Sequence, residues 1–485
     1  MKRRMNILVF ITVLFFLCSI TTTMADAKDI RYVVVFQNEQ VPENAAQLIE
    51  AAGGRLVKTL PSIGVVIAVS SSPDFASSLS NTPGIDSVSV ERSLKVQGAG
   101  KPKPFECAPD SENDSCFGAQ WNIRRVHADK AWGITTGSHK TVVAVIDTGI
   151  ATNHPDLKQN VLHEFCCPSS EDECIPPSSE DPSCNPYPED PCWGYHGTSV
   201  ASIIAASFGG GGLKGVGPNL GLASYNVWEA PGQNGQNCNY SASDSSIWAA
   251  MLHAARSRFK VINISLGGLL CCDSKAEGII HCSKDDYATI TAWTRVVQRV
   301  MQKGSLIVAG AGNDGINLDG PAFYIPADLP GVISVGATGI RPRPVYPQPD
   351  AFDVMAYYSN YGKTIDLVAP GGDYGPDCNF DICENYDENY LVLTASVWPS
   401  RRCAKTASCP YFYSLTGGTS YSTPHVSAVA GLILDKYPYL NQYPYLSPFI
   451  ITTILKGTAD DLGDPLHFGS GMVNAFRALE KARKR

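Results

Sequence analysis

The chain has 485 residues, which exceeds what one hydrophobic core usually supports, so two or more folded units are expected. Charged residues make up 17% of the sequence and hydrophobic residues 44%, with a formal net charge of −8, which is the balance of a soluble globular protein. No basic patch favours nucleic acid, so we expect no nucleic-acid partner.

Residues 1–25 have the pattern of an export signal. Three basic residues at positions 2–4 precede an apolar run from Ile7 to Ile20, and the small-residue cleavage pattern Thr23-Met24-Ala25 follows. The apolar run is shorter than the roughly 20 residues that a membrane-spanning helix needs, which makes a membrane anchor the weaker alternative. We therefore expect a secreted, extracellular protein without a membrane anchor.

The cysteines favour disulfides over metal ligation. The sequence contains 16 cysteines, and because Cys18 lies in the signal, 16 − 1 = 15 remain in the exported chain. An odd number means that one is free or pairs between molecules. No C-x-x-C pair favours a zinc ribbon, and export makes disulfides the default use.

Residues 26–98 form a block without cysteine that predicts a small α+β unit of ferredoxin-like order. Strand-like and helix-like patterns alternate as β-α-β-β-α-β, with strands at 31–36, 56–60, 64–69 and 85–90 and helices at 43–52 and 75–80. Residues 99–114 follow as a linker, rich in Gly, Lys and Pro where it begins, which we expect to be exposed and to contain a maturation site.

Residues 115–485 predict a larger α/β domain with a central parallel sheet. Short apolar runs alternate with helical patterns, at 141–146, 198–207, 222–227, 244–258, 261–264, 288–303 and 307–309. Such a sheet places its ligand site at the C-terminal ends of its strands, where the Gly-rich and polar segments of this sequence fall.

An insertion at 163–194 interrupts this pattern. From Cys166 to Cys192 inclusive it contains five cysteines, several prolines and several acidic residues, without an apolar period. We interpret it as a disulfide-stapled surface loop with no chemistry of its own. A calcium-binding role and a substrate-gating role remain alternatives.

Two candidate catalytic residues are placed by predicted elements. Asp147 follows the run 141–146, so its carboxylate is expected at the C-terminal edge of a buried strand, where it needs a polar partner. His196 stands where small residues precede an apolar helix, from which an imidazole can be aimed into a cleft. Read alone, Asp147 also suits a turn and His196 a structural role, so context must decide.

Two more candidates follow in the second half of the chain. Ser420 lies in a Gly- and Thr-rich segment before an apolar helix, and a helix N-terminus can stabilise a developing oxyanion, although a serine there also suits an N-cap. His425 lies about 140° further round that helix and is not expected to be the base. Asn313 ends a strand-like run, where its amide suits an oxyanion donor or a plain turn residue.

Taken together, these segments resemble the motifs of the subtilisin family of serine proteases, in the chain order Asp, His, Asn, Ser. The matching segments lie at 145–150, 154–157, 196–201, 263–267, 418–420 and 424–426. The resemblance covers roughly residues 120–477, and the block 26–98 looks like the inhibitory propeptide of the family.

The resemblance implies a fold and a mechanism. It implies a subtilisin-like three-layer α/β fold with a central parallel sheet, and the activity of a serine endopeptidase that forms an acyl-enzyme. Asp147, His196 and Ser420 would be the catalytic triad, with Asn313 in the oxyanion hole. No cofactor is required for this catalysis.

The resemblance also assigns binding roles. The segment Ser265-Leu266-Gly267 would pair with an extended substrate backbone, and Ala309, Gly310 and Ala311 would wall the primary pocket. Asp156 matches a position that binds calcium in many members, which suggests calcium as a structural ion. The expected partners are polypeptide substrates and the protein's own propeptide.

The sequence departs from the family after its serine, and alternatives stay open. Tyr421 and Ser422 stand where the family usually has Met and Ala, which makes Ser422 a rival nucleophile. A dedicated processing protease for one peptide precursor and a secreted binding protein that has lost catalysis are the alternative functions. Neither the Gly-x-Ser-x-Gly elbow nor the His-Glu-x-x-His zinc motif occurs.

Overall fold

The structure is a computed structural model that describes most of the chain from residue 29 onwards. It describes residues 29–95, 103–106, 116–177, 195–228, 241–271, 286–320, 322–341, 352–375, 390–397 and 411–483. The predicted signal at 1–25, most of the linker and the second half of the insertion lie outside these ranges.

Residues 30–90 form a small unit with the predicted β-α-β-β-α-β order. Its elements are β1 (Ile30–Phe36), α1 (Ala45–Ala51), β2 (Arg55–Leu60), β3 (Val65–Ser70), α2 (Phe75–Ser80) and β4 (Ile85–Val90). The four strands pair antiparallel in the order β2-β3-β1-β4, so β2 is an edge strand. Helix α1 stops at Gly53, whose φ of 85° favours glycine and turns the chain into β2.

The rest of the chain adds the elements of a larger domain. In chain order they are β5 (Ser93–Lys95), β6 (Lys103–Phe105), α3 (Trp121–Arg125), α4 (Ala128–Ala131), β7 (Val142–Asp147), β8 (Val161–Cys166), α5 (Tyr195–Ala205), β9 (Gly221–Asn226), β10 (Ser241–Ser243), α6 (Asp244–Arg256), β11 (Val261–Ile264), β12 (Gly268–Cys271), α7 (Tyr287–Gln302), β13 (Leu306–Gly310), β14 (Phe323–Ile325), β15 (Val332–Arg341), β16 (Phe352–Met355), β17 (Leu367–Pro370), β18 (Val392–Val397), β19 (Tyr411–Thr416), α8 (Thr419–Lys436), α9 (Ser447–Thr458), α10 (Pro465–Phe468) and α11 (Ala475–Arg483).

A central sheet of eight strands confirms the predicted α/β class. Its order is β16-β15-β13-β11-β7-β9-β8, with β17 also paired to β15, and all its pairs except β15 with β16 are parallel. Strand β7 shows why both faces are covered: Ala144 and Ile146 pack towards α6 and α7, whereas Val143 and Val145 pack towards α5 and α8. The result is a three-layer arrangement of helices, sheet and helices.

The insertion begins inside the sheet. Residues 163–166, which the sequence assigns to the insertion, belong to β8, the edge strand beside β9. Leu162 and His163 are exposed there, so the segment lacks the continuous apolar run of the central strands. Cys167 and Cys174 then form a disulfide that closes a short loop directly after the strand.

The small N-terminal unit packs against one helical layer of the larger domain. Its apolar residues Val33 and Val65 share a buried cluster with Trp293 of α7 and Ile247 of α6. Strand β5 continues the chain beyond the unit and pairs antiparallel with β10. Among the described residues, no helix is both long and apolar enough to cross a membrane.

Candidate active site

The site lies where three neighbouring strands of the central sheet end. Asp147 is the last residue of β7, Ser265 follows β11, and Asn313 follows β13. These strands are adjacent in the order β13-β11-β7, so their C-terminal ends bring the three segments to one edge of the sheet. The first turns of α5 and α8 face the same edge and contribute His196 and Ser420.

Asp147 is a fully buried carboxylate that holds His196. Its two oxygens lie 2.8 and 2.9 Å from Nδ1 of His196, and the backbone N–H of Thr148 donates to the same carboxylate at 2.7 Å. These bonds satisfy a charge that burial would otherwise penalise. With the Nδ1 proton directed at Asp147, Nε2 is the acceptor of the neutral imidazole.

A glycine lets the histidine helix approach the strand end. A Cβ at Gly197 would lie 2.2 Å from the carbonyl oxygen of Gly149 and 3.2 Å from Cβ of Asp147, so a larger residue would push α5 away. The backbone N–H of Gly197 also donates to Thr148 Oγ1 at 3.0 Å. The small-residue motif around His196 therefore has a packing reason as well as a place in the site.

Ser420 is the second residue of helix α8 and is 5% exposed. Its Oγ donates to the carbonyl oxygen of Ser265 at 3.0 Å, and no hydrogen bond to Nε2 of His196 is formed among the described residues. The ring of Tyr421, the next residue, lies 5.6 Å from the His196 ring, so the helix start adjoins the imidazole. Catalytic hydrogen bonds in the absence of substrate are often long or unformed.

The rival nucleophile Ser422 faces away from this cleft. It is fully buried, and its Oγ lies 2.5 Å from where a Cβ on Gly371 would stand, so it points to the 371 backbone. The geometry thus places Ser420, and not Ser422, beside Asn313 and Ser265.

His425 is packed in the helical layer, as expected from its position on the helix. Its Nδ1 donates to the carbonyl oxygen of Tyr421 at 2.9 Å, and its Nε2 lies 3.0 Å from Nδ2 of Asn122. Burial lowers the pKa of His425 to about 4, so this imidazole is neutral over the ordinary pH range. It is a buried structural residue.

Asn313 is oriented by Thr419, the residue before Ser420. The backbone N–H and the hydroxyl of Thr419 both donate to Oδ1 of Asn313, at 2.8 and 2.9 Å. Because Oδ1 accepts both bonds, Nδ2 is the donor that the side chain can offer to the cleft. This arrangement suits an oxyanion donor next to the N-terminus of α8.

A cleft with about 200 Å³ of empty space joins these groups. It is lined by Ser265, Leu266, Gly267, Gly310, Asn313, Tyr324, Thr419 and Ser420. The structure therefore brings the predicted edge segment and Gly310 next to Ser420. Ala309 and Ala311 are fully buried and do not line the cleft. Of the three residues predicted to wall the primary pocket, Gly310 is the one that lines it.

Asp156 lies apart from the cleft, near the second turn after β7. It is fully buried, and its Oδ1 accepts the backbone N–H of Gly212 at 3.0 Å. Within the described ranges, no group of three or more His, Cys, Asp or Glu side chains could hold a metal ion. These residues do not by themselves assemble a calcium site, and a structural ion at Asp156 remains a prediction.

Two residues that line the cleft were not predicted from the sequence. Thr419 holds Asn313 by both of its donors, and Tyr324 lines the cleft from β14. The position of Thr419 beside Ser420 at the start of a helix could have indicated a place in the cleft. Tyr324 gave no signal, because an aromatic residue in a short strand is far more often part of a core.

The fold and this site define a class. A buried Asp–His pair beside a serine at a helix N-terminus, on the C-terminal edge of a parallel sheet, is the arrangement of a serine hydrolase. The model of the subtilase family, a family of peptidases, matches residues 138–471. The chain belongs to the subtilase family of serine proteases.

Known relatives extend over most of the chain. Subtilisin Savinase of Lederbergia lenta is 31% identical over 362 residues, which cover 74% of this chain and 97% of the relative. The epidermin leader peptide-processing serine protease EpiP of Staphylococcus epidermidis is 25% identical over 75% of each chain. The solved structure of EpiP from Staphylococcus aureus superposes with a TM-score of 0.67 over 94% of this chain and 99% of its own, at 22% identity, and shows the shared fold.

Proposed function

We propose that this chain is a secreted serine endopeptidase that cleaves peptide bonds through an acyl-enzyme on Ser420. The observation that carries the proposal is the buried pair of Asp147 and His196, 2.8 Å apart, beside the serine at the start of α8. The N-terminal signal pattern and the cysteine content support export.

The mechanism follows from the roles that the geometry allows. Ser420 Oγ turns from the Ser265 carbonyl towards Nε2 of His196, which takes its proton as Oγ attacks the substrate carbonyl. Asp147 keeps the imidazole in the required tautomer and stabilises the imidazolium that forms. The Nδ2 group of Asn313 and the backbone N–H of Ser420 bind the oxyanion. The imidazolium then gives its proton to the leaving amine, and water releases the acyl group by the reverse route.

The nucleophile is tested by labelling the matured enzyme with a fluorophosphonate. Ser420→Ala should remove both the label and nearly all activity. Ser422→Ala is the matched control in the same helix turn and should keep the label. A label that persists in Ser420→Ala and disappears in Ser422→Ala would reject this assignment. An unlabelled and inactive wild-type enzyme would revive the alternative of a binding protein without catalysis.

We further propose that residues 26–98 are an inhibitory propeptide. Several contacts support this role. The Glu91 side chain accepts the N–H of Ser245 in the first turn of α6 at 3.1 Å, and the N–H of Asp244 donates to the Arg92 carbonyl at 3.1 Å. The end of the proposed propeptide, directly after β4, thus supplies acceptors to the start of a helix, where N–H groups lack partners.

Helix α7 provides a second set of contacts to the same unit. Arg295 donates to the carbonyl oxygens of Phe36 and Ile63, both at 3.0 Å, and Arg299 donates to that of Ser62 at 2.7 Å. Strand β5 leads from the unit towards the cleft, and Leu94 on it packs against Gly268, which follows the cleft residue Gly267. From these contacts we expect the linker that follows to reach Ser420 as a first substrate.

Autocatalytic maturation gives the test of the propeptide. The Ser420→Ala precursor, purified alone, should remain uncut in the segment from Val96 to Cys107, whereas the wild-type precursor is cut there. The trimmed unit should stay bound and inhibit, with affinity on the order of −10 kcal/mol or better for an interface of standard size. Trimming of the pure Ser420→Ala precursor would show that another protease does the work.

A dedicated processing role is the second candidate function. Its support is the likeness to the EpiP proteases, whose name describes the processing of a leader peptide. A peptide library separates the two functions. A broad degrader cuts many sequences with similar efficiency, whereas a processing enzyme cuts a narrow set that shares several positions.

A further inference from the structure

The aromatic ring of Tyr324 separates the two walls of the cleft. One wall is the 265–267 segment, where a Cβ at Gly267 would lie 2.4 Å from Cε1 of Tyr324. The other is the loop after β13, where a Cβ at Gly312 would lie 2.5 Å from Cε2. The ring therefore touches the backbone of both walls, and both touching positions are glycines because no side chain fits between backbone and ring.

The ring is held in place from several sides. Strand β14, which carries Tyr324, pairs with β12, and Leu269 lies opposite Tyr324 in that pair. The backbone N–H of Tyr324 donates to Oδ2 of Asp328 at 2.7 Å, and the N–H of Asp328 returns a bond to the Tyr324 carbonyl at 2.8 Å. Tyr324 is 2% exposed, so almost all of its surface is in contact with protein. A ring fixed in this way does not swing aside at small cost.

The substrate side chain next to the scissile bond must enter this space. When the substrate carbonyl lies between Ser420 and Nδ2 of Asn313, the side chain of the same residue is within a few ångströms of both. The cleft that contains Ser420 and Asn313 is bounded by the two walls and by Tyr324. The roughly 200 Å³ of empty space includes open solvent, and the cavity volume within it is only about 10 Å³, far below the roughly 300–1,000 Å³ of typical ligand pockets.

We infer that Tyr324 is a specificity-determining residue that closes this pocket, so that the enzyme cleaves after residues with small side chains such as Gly, Ala and Ser. Large aromatic and branched side chains are excluded because they meet a fixed ring. The inference rests on the proposed function, since it concerns the pocket beside the proposed nucleophile.

The test compares matched peptide substrates that differ only in the residue before the scissile bond, Ala or Phe. The wild-type enzyme should cleave the Ala peptide with kcat/KM at least about 10-fold higher. Tyr324→Ala should shrink or reverse that ratio by raising kcat/KM for the Phe peptide. Tyr324→Phe keeps the ring and should keep the wild-type preference, which separates the ring's volume from its hydroxyl group.

A merely structural role for Tyr324 gives a different pattern. Loss of packing alone would lower kcat/KM for both peptides by the same factor, and that result would overturn the inference. So would a wild-type enzyme that cleaves the Phe peptide as well as the Ala peptide, a measurement that needs no variant.

Labelling separates failure of this inference from failure of the proposed function. Phosphonates that carry an Ala or a Phe side chain next to the reactive phosphorus should label Ser420 at different rates, with the Ala reagent faster. If Ser420 is labelled and the Ala peptide is cut, but the preference is absent, only the role of Tyr324 is wrong. If neither reagent labels Ser420 and neither peptide is cut, the proposed function fails as well.

Discussion

Ser420 and Ser265 exchange two hydrogen bonds: Ser420 Oγ donates to the Ser265 carbonyl at 3.0 Å, and Ser265 Oγ donates to the Ser420 carbonyl at 2.8 Å. The pair joins the end of β11 to the first turn of α8, so Ser420 and the 265–267 segment keep a fixed spacing. The first of these bonds must break before Ser420 can reach His196. In the proposed mechanism, a substrate strand that enters beside Ser265 would compete for the same carbonyl, which would couple substrate binding to release of the Ser420 hydroxyl.

The oxyanion role of Asn313 predicts a specific kinetic change. Asn313→Ala should lower kcat by about 10²–10³, the loss known for removal of the side-chain donor in subtilisin, a member of this family. Steady-state kinetics on one peptide substrate measures the effect. An unchanged kcat with a raised KM would show that Asn313 only binds the ground state. Since Thr419 donates to Asn313, Thr419→Val should lower kcat in the same direction.

The sequence predicted the elements that carry the candidate site residues because their motifs have local physical causes. Gly197 is required by the close approach of α5 to the end of β7, and Gly53 by the turn after α1, so small residues mark these places in the sequence. Apolar runs such as that of β7 identify strands that are buried on both faces. The order of the N-terminal unit followed from the same two patterns.

Other features depend on contacts between segments that are distant in sequence. Tyr324 lines the cleft because β14 pairs with β12, and nothing near Tyr324 in the sequence indicates that pairing. Strand β8 has exposed residues such as His163 and so lacks the apolar run of a buried strand. The hydrogen bond from Lys58 of the N-terminal unit to the Pro168 carbonyl of the insertion also depends on distant segments, because the two residues are more than 100 positions apart.

Calcium removal tests the predicted structural ion at Asp156. A chelator should lower the melting temperature of the matured enzyme, and added calcium should restore it, since an ion that binds only the folded state stabilises that state. Asp156→Asn should abolish the response without changing the labelling of Ser420. A melting temperature that is unaffected by chelator and by calcium would remove the prediction.

The docking of the N-terminal unit should weaken as pH rises from about 4 to about 8. Burial raises the pKa of Asp244, at the start of α6, from 3.8 to about 8; the hydrogen bond from Trp293 opposes the shift, and the nearby Glu91 charge adds to it. The prediction assumes that undocking exposes this carboxyl to water and returns its pKa towards 3.8, so that the docked state holds a proton which the undocked state loses above about pH 4. Asp244 therefore stabilises the docked state most below about pH 4, and this contribution is lost progressively as the pH rises to about 8.

An Asp244→Asn variant should remove this pH dependence, because the amide stays neutral. The measurement is hydrogen exchange in β1 and β4 of the uncut Ser420→Ala chain at pH 5 and pH 8, corrected for intrinsic rates. Burial lowers the pKa of Lys58 to about 8, so the effect of Lys58 on docking changes only above pH 8. It does not interfere with the comparison between pH 5 and pH 8. Equal pH dependence in both chains would assign the effect to another group.

The disulfide loop after β8 should strengthen the docking of the N-terminal unit. The unit's outer strand, β2, is an edge strand whose outward N–H and C=O groups need partners. The loop supplies one such partner, since Thr59 N–H donates to the Asp172 carboxylate. It also accepts a side-chain bond, from the buried Lys58 Nζ to the Pro168 carbonyl at 2.9 Å. The disulfide between Cys167 and Cys174 closes the loop that carries both contacting residues.

Asp172→Ala should therefore raise the hydrogen-exchange rate of β2 in the uncut Ser420→Ala chain. Loss of one hydrogen bond with a net value of about 1 kcal/mol corresponds to roughly a fivefold change. Glu173→Ala is the matched control, because it removes the same charge from the same loop but pairs with Arg256 of the larger domain at 2.9 Å. If both variants accelerate β2 equally, the loop acts through its charge and not through the Thr59 contact. If neither variant accelerates exchange in β2, the loop contacts the N-terminal unit without stabilising its docking.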